Sequence, residues 1–320
     1  MTSAQESYEQ LRHHWDYDAS APLNMKQAGV QQRGAVSIYD ISYSSPVDDR
    51  SVFVGPNGGL VTAYLVIPPG TGPFPAVIYA HWCMPGSDKM NRTEFLEEAV
   101  VLAHSGVISL LPDHLIVHPG FVEDNTPLNQ QQIDVDVQQN INLRRGADLL
   151  LKRKDVDPKR LAYVGHSCDG AAGGYLAGTD KRFKAFVLMA GNLSFEVEKK
   201  TKFIQEYRQK IGPEKFDAFA EEYSWMDGGK YISHAAPAAM FLQYATDELL
   251  LNADLARQYF QLASEPKKLK IYQAPHALNA EATRDRIAFL AEQLFFTPPD
   301  AKAVNAIPPL TQPPRPKGDR

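Results

Sequence analysis

The sequence predicts an α/β protein built on a doubly wound, mostly parallel sheet with helices on both faces. Three observations carry that reading. From Pro75 onward, short continuous apolar runs alternate with amphipathic segments of helical length, the pattern of strands buried on both faces and joined by crossover helices. Two alternating, β-branched stretches precede them and read as an antiparallel pair at a sheet edge. The 320-residue chain is 44% apolar and 22% charged, which supplies a sizeable core and excludes a disordered chain, a fibre or a small cross-linked module. Length alone admits two domains, but the pattern reduces them to one, spanning 36–296, with an N-terminal arm (1–35) and a Pro-rich tail (297–320).

In chain order, the first 35 residues are polar and irregular, with an aromatic knot at Trp15 and Tyr17, and read as an arm lying on the domain. Val36 to Tyr43 and Leu60 to Ile67 form the edge pair, separated by the turn-rich Gly55-Pro56-Asn57-Gly58-Gly59. The buried strands are Ala76 to Ala80, Val107 to Leu111, Leu161 to Val164, Ala185 to Met189, Ala239 to Tyr244 and Leu269 to Tyr272. Residues 129–153 form a helix: Ile133, Val137, Ile141, Arg144, Ala147 and Leu151 step by three or four, opposite a face of Gln, Asn, Lys and Asp. Residues 192–236 exceed what a crossover needs and carry two charged amphipathic pieces, as a helical cap or lid does. In the tail, prolines at 298, 299, 308, 309, 313, 314 and 316 predict an extended, disordered segment.

Charge and cysteine usage remove other classes. A net charge of −5, from 33 basic and 38 acidic residues with no long block of either sign, argues against nucleic acid or an anionic membrane as partner. The two cysteines, Cys83 and Cys168, have no spacing suited to a disulfide framework or structural zinc. No 18-residue apolar stretch occurs and the first residues lack a signal-like pattern, so the chain as given reads as cytoplasmic; an exported chain with its signal removed looks the same.

The strongest chemical signal is Leu161-Ala-Tyr-Val-Gly-His-Ser-Cys-Asp-Gly170, a strand running into Gly-x-Ser and then into the small-residue helix start Gly170-Ala-Ala-Gly-Gly174. A serine on such a turn is held in a strained conformation with its hydroxyl exposed. Here the sequence resembles the α/β-hydrolase superfamily, in particular its dienelactone-hydrolase-like bacterial esterases, over residues 36–296. The resemblance implies that fold, with Ser167 as nucleophile, an acid after a later strand and a histidine after the last. Asp247 ends Ala239-Met-Phe-Leu-Gln-Tyr-Ala-Thr-Asp247, with Glu248 adjacent and chemically similar, and His276 lies in Ala274-Pro-His-Ala-Leu-Asn279. Asp247 is the preferred acid.

The resemblance also implies an oxyanion hole of backbone N–H groups, one from Cys168 and one from the loop Ala80-His81-Trp82-Cys83-Met84-Pro-Gly86, at Cys83 or its neighbour Trp82. Both cysteines therefore map to that hole, close enough to pair on oxidation, although two small buried thiols is the plainer expectation. His81, Trp82, Asp169, Trp225 and Met226 are candidates for the substrate pocket.

One position departs from the pattern. Asp169 stands where a glycine or other small residue is usual, and a carboxylate about 6 Å from an oxyanion opposes it by roughly 3 kcal/mol at an effective dielectric of about 20. It must be turned away and paired, or protonated, or the enzyme is slow. Reading Cys168 as the nucleophile puts His166 where a small residue is required, so Ser167 is kept. Asp113, His114 and His118 have a metal-like spacing, but Pro112 and Pro119 make the segment a loop, and no metal is expected. The sequence thus points to a serine hydrolase of carboxylic esters, without cofactor, acting on a small-molecule ester. A peptidase or acyltransferase on the same triad and a ligand-binding relative impaired by Asp169 are the alternatives; oligomeric state is not legible.

Overall fold

The computed structural model describes residues 6–47, 59–83, 92–117, 121, 124, 126, 128–191, 194–248 and 252–310. One sheet of nine strands runs in the order β1-β2-β3-β5-β4-β6-β7-β8-β9. The strands are β1 (Lys26–Arg33), β2 (Val36–Ser44), β3 (Leu60–Ile67), β4 (Phe74–Ala80), β5 (Ile108–Pro112), β6 (Val156–His166), β7 (Ala185–Met189), β8 (Ala239–Asp247) and β9 (Lys267–Pro275). From β5 to β9 along the sheet every pairing is parallel, whereas β1, β2 and β3 add an antiparallel edge. The continuous apolar runs are the central strands: every residue of β5 and β7 is buried. The turn expected at 55–58 lies outside the described residues.

Helices cover both faces. They are α1 (Tyr8–His13), α2 (Leu96–Ala103), α3 (Gln130–Leu151), α4 (Cys168–Thr179), α5 (Phe195–Glu198), α6 (Lys202–Ile211), α7 (Pro213–Glu222), α8 (Gly228–Ile232), α9 (Ala253–Leu262), α10 (Ala280–Leu294) and α11 (Ala301–Asn305). One core packs α3, α4 and α9 on the sheet through Leu143, Ala147, Leu176 and Tyr259. The other packs α2 and α10 through Ala99, Leu102, Ile287 and Leu290. The parallel strands thus deliver their C-terminal ends, and whatever chemistry those ends carry, to one edge of a three-layered sandwich.

Three expectations are corrected. The arm is not irregular throughout, because residues 26–33 form β1 against β2. Its sequence shows no alternation since it is exposed on both faces, and backbone pairing alone makes it a strand. The polar side of α3 is buried rather than solvated. Gln138, Gln139, Asn140, Asn142, Arg145 and Asp148 are all buried beneath the arm and neighbouring elements. Arg145, fully buried, donates to the Ala19 and Ala21 carbonyls and to Asp148 Oδ2 at 3.2, 2.7 and 2.6 Å, so the arm's backbone satisfies a charge that would otherwise be costly inside. The tail is ordered into α11, whose Val304 is buried while Ile307 and Leu310 lean on the second core. Residues 311–320, where its last prolines fall, lie outside the described residues.

The insertion between β7 and β8 folds as α5 to α8. Asp227 anchors it, accepting from the Gly229 and Glu196 N–H groups at 2.8 and 2.9 Å and from Ser194 Oγ at 3.1 Å. The arm's Trp15, fully buried, sits between α4 and the insertion with ring centroids 4.6 Å from Tyr175 and 5.4 Å from Tyr231.

Candidate active site

Ser167 links β6 directly to α4 and has φ 57° and ψ −116°, a left-handed conformation that costs a non-glycine residue energy unless its surroundings enforce it. They do: its N–H donates to the Met189 carbonyl at 2.8 Å and its carbonyl accepts from Ala171 N–H at 2.9 Å. The turn closes because two positions lack a Cβ. A Cβ on Gly165 would lie 2.2 Å from the Asp169 carbonyl oxygen, and one on Gly170 would lie 2.5 Å from that of Met189. The crowding falls on residues 165 and 170, which is why position 169 tolerates an aspartate.

His276 follows the end of β9 and Glu248 follows the end of β8. Glu248 Oε2 meets His276 Nδ1 at 2.7 Å, with the Glu248 side chain 1% exposed. The carboxylate that reaches the histidine is therefore Glu248 and not Asp247, which is exposed. The ladder is irregular at this point, two residues of β8 from Ala245 to Asp247 spanning three of β9 from Tyr272 to Pro275, so the extra residue lies on the strand that leads into His276. Occupation of Nδ1 leaves Nε2 as the nitrogen for proton transfer.

A residue the sequence did not single out, Glu94, ties these pieces together. Its Oε1 meets His166 Nδ1 at 2.6 Å, and its Oε2 accepts from the Trp82 N–H at 3.0 Å. His166 Nε2 in turn donates to the His276 carbonyl at 3.1 Å. One buried carboxylate thus links the loop after β4, the residue before Ser167 and the loop bearing His276. Glu94 lies 72 positions from His166, and no local signal marks it.

The expected oxyanion hole is sharpened by the same bonds. Trp82 N–H is occupied by Glu94, which removes it as a donor to substrate. The other two expected donors belong to residues that are covalently joined: Cys83 and Cys168 form a disulfide with a Cα–Cα separation of 5.8 Å, so the expectation of two buried thiols is corrected. As the first residue of α4, Cys168 presents an N–H without an intrahelical acceptor. Met84 to Gly86 lie outside the described residues.

The pocket candidates divide. His81 is buried, its Nδ1 donates to the Trp82 carbonyl at 2.7 Å and its Nε2 accepts from His114 N–H at 3.0 Å, so it pins the loop rather than facing substrate. Burial lowers its pKa and favours the neutral ring that this pairing requires. The Trp82 ring is fully buried against Ile116. Asp169 is also fully buried; its Oδ1 accepts from Gln139 Nε2 at 3.0 Å and its Oδ2 has no partner among the described residues. Burial pushes its pKa well above that of a free carboxylate, which favours the neutral acid, and the carboxyl is directed at α3. Trp225 stacks on His14 at 4.2 Å, packing the arm rather than a pocket, whereas Met226 lines a cavity.

That cavity, about 510 Å³, lies between α3, α4 and the insertion, with walls that include Ile133, Tyr175, Phe216 and Met226. A smaller one of about 260 Å³ is lined by Cys83, Cys168 and His114. Asp136 lines both, placing the larger cavity next to the nucleophile turn. Burial pushes the Asp136 pKa up to about 7 and, with help from Asp227, that of Glu198 in the larger cavity up to about 8. Cys83, His114 and Cys168 bring three donor atoms within 4.8 Å of one another, yet the sulfurs are bonded to each other and offer no thiolate for a metal. Asp113 is taken by Thr62 Oγ1 and Arg92 N–H at 2.5 and 3.0 Å, and His118 lies outside the described residues.

No protein-family model and no curated protein matches the sequence. Solved structures do match over nearly the whole chain. Acetyl xylan esterase 1 from Thermoanaerobacterium sp. is 15% identical with a TM-score of 0.71, covering 92% of this chain and 95% of its own. A glucuronoyl esterase from Solibacter usitatus is 13% identical with a TM-score of 0.60, covering 89% and 92%. A Klebsiella pneumoniae protein assigned as a dienelactone hydrolase is 17% identical with a TM-score of 0.55, covering 82% and 99%. The chain has the α/β-hydrolase fold.

Proposed function

We propose that this chain is a serine hydrolase that cleaves carboxylic esters through an acyl intermediate on Ser167. The observation that carries the reading is the pairing of a strained serine at the β6–α4 turn with a histidine whose Nδ1 is held by a buried glutamate at the same sheet edge. The structural neighbours named above, two of them esterases by description, support it at the level of fold.

In this reading His276 Nε2 takes the Ser167 hydroxyl proton as Oγ attacks the ester carbonyl carbon. Glu248 fixes the tautomer and stabilises the imidazolium, the role first expected of Asp247. The oxyanion forms between the Cys168 N–H and that of Cys83, whose separation the disulfide limits; each such donor is worth about 100- to 1,000-fold in turnover. Collapse expels the alcohol, which receives the proton from His276. Water activated by the same imidazole then releases the acid and restores Ser167. Asp169 is tied to Gln139 and favoured as the neutral acid by burial, which supports an active hydrolase over an impaired relative.

The Cys83–Cys168 bond favours the exported alternative over the cytoplasmic one, because disulfides persist in oxidising compartments. Among the described residues no helix is long and apolar enough to cross a membrane. Replacing Ser167 with Ala tests the reading: hydrolysis of p-nitrophenyl esters should vanish, and undiminished hydrolysis overturns it.

A further inference from the structure

The cavity of about 510 Å³ under the insertion combines two features that rarely coexist without a ligand. Its wall is largely apolar and includes the aromatic rings of Phe195, Tyr207, Phe216, Phe219 and Tyr223. Its charged groups are Asp136 from α3, Glu196 and Glu198 from α5, Glu221 from α7, Asp227 just before α8 and, as the single cation among the described lining residues, Lys230. Several of the acids are spoken for. Asp227 caps α8 and Glu196 pairs with Lys199. Asp136 and Glu198 have no hydrogen bond or ion pair among the described residues, and each is only part-exposed in the cavity wall. A carboxyl group left in an apolar wall without a partner is costly, and a cation among aromatic faces and a carboxylate is the chemistry that compensates it.

We propose that this cavity recognises a positively charged ammonium group on an apolar or aromatic ester, with Asp136 and Glu198 as the carboxylates that receive it. The assignment deepens the proposed esterase reading and rests on it. Asp136 also lines the smaller cavity that touches Cys83 and Cys168, so an ammonium group held there is carried on the same molecule as a carbonyl presented at Ser167. The α4 helix contributes to both places, since its first residue is Cys168 and its Tyr175 walls the larger cavity.

The groups also set a pH dependence. Asp136 is raised by burial alone and in turn opposes ionisation of Asp169 from α4, while Glu198 is raised by burial and by Asp227 from the insertion. With carboxyl pKa values raised to about 7 and about 8, the acids lose their protons as pH rises through that range, and only then do they attract a fixed cation. A ligand of permanent charge should therefore bind more tightly at pH 9 than at pH 6.

The test uses an isosteric pair, acetylcholine and 3,3-dimethylbutyl acetate, which differ in charge and scarcely in shape. The full chain should give a kcat/KM ratio of at least tenfold in favour of the ammonium ester at pH 8. Asp136→Asn and Glu198→Gln should each bring the ratio down toward one, mainly through KM. Independently of turnover, calorimetric binding of benzyltrimethylammonium should tighten about tenfold or more from pH 6 to 9, and the double variant Asp136→Asn/Glu198→Gln should abolish that dependence. Hydrolysis of both esters at equal efficiency, with no benzyltrimethylammonium binding, overturns the cation site while leaving the esterase reading intact. Binding of benzyltrimethylammonium without hydrolysis of either ester supports the site and counts against the reaction. A preference for neutral sugar esters that survives both substitutions also overturns the cation assignment.

Discussion

Toward β8, β9 and α2, the buried carboxylates each face nitrogen: Glu248 meets His276, Glu94 meets His166 and the Trp82 N–H, and Glu98 meets the Arg286 guanidinium. Toward α3 and the insertion, Asp169 has one amide partner and one bare oxygen, while Asp136 and Glu198 have no partner among the described residues. The first group orients imidazoles and loops, so its value lies in position. The second is pushed toward the neutral acid by burial, so its value lies in what a ligand can supply. Carboxyl groups thus position machinery on one side of Ser167, while on the other, beside the paired Asp148 and Asp227, Asp136 and Glu198 are left for recognition.

The largest loss is expected at the nucleophile between the two sides. Ser167→Ala should lower kcat on p-nitrophenyl acetate by about a million-fold, as removal of a catalytic serine does elsewhere. On the paired side, Glu248→Gln should cost roughly 10³- to 10⁴-fold in kcat by favouring the wrong imidazole tautomer. Asp247→Asn should stay within about threefold, because a side chain in water contributes little at a distance; a larger loss from Asp247 than from Glu248 would reverse the assignment.

A smaller effect is expected from reducing Cys83–Cys168. The backbone donors survive, but loss of the tether lets the loop after β4 drift from α4, and misplacement of about 1 Å costs up to about 100-fold. Thermal stability should fall with it, since opening such a cross-link typically costs about 2–4 kcal/mol. Dithiothreitol titration monitored by turnover and melting temperature reads both, and unchanged turnover in the fully reduced protein would remove the disulfide from the site.

The smallest kinetic effect belongs to Asp169. Burial raises its folded-state pKa above the unfolded value, so its contribution to stability is full below about pH 4 and is lost as pH rises toward the folded value. Asp169→Asn cannot ionise and escapes that loss. Its stability relative to the parent should therefore grow by up to about 1.4 kcal/mol per pH unit between pH 5 and 8, with kcat little changed. Urea denaturation at the two pH values measures it; a constant difference, or a large rise in kcat, contradicts a neutral Asp169.

What the sequence made legible was local. The run from Leu161 to Gly170 announces the turn because strand, nucleophile and crowding glycines are contiguous, and His276 stands at the end of its strand in the same way. The choice between the adjacent Asp247 and Glu248 was not legible, because two carboxylates at the end of one strand have the same chemistry and only the packing shows which is buried against His276. Glu94 escaped notice because its partners come from strands and loops far along the chain. β1 escaped because neither of its faces is buried, and the arm over α3 hid the fact that a polar helix face can be interior when backbone carbonyls satisfy it.

The central claim is a covalent acyl-enzyme on Ser167, driven by His276 and oriented by Glu248. Labelling the full chain with a fluorophosphonate and mapping the modified peptide by mass spectrometry tests it most directly. One adduct, on Ser167, forming far more slowly in Glu248→Gln than in Asp247→Asn, is the result expected. No adduct, an adduct on another residue, or equal rates in the two variants would contradict it.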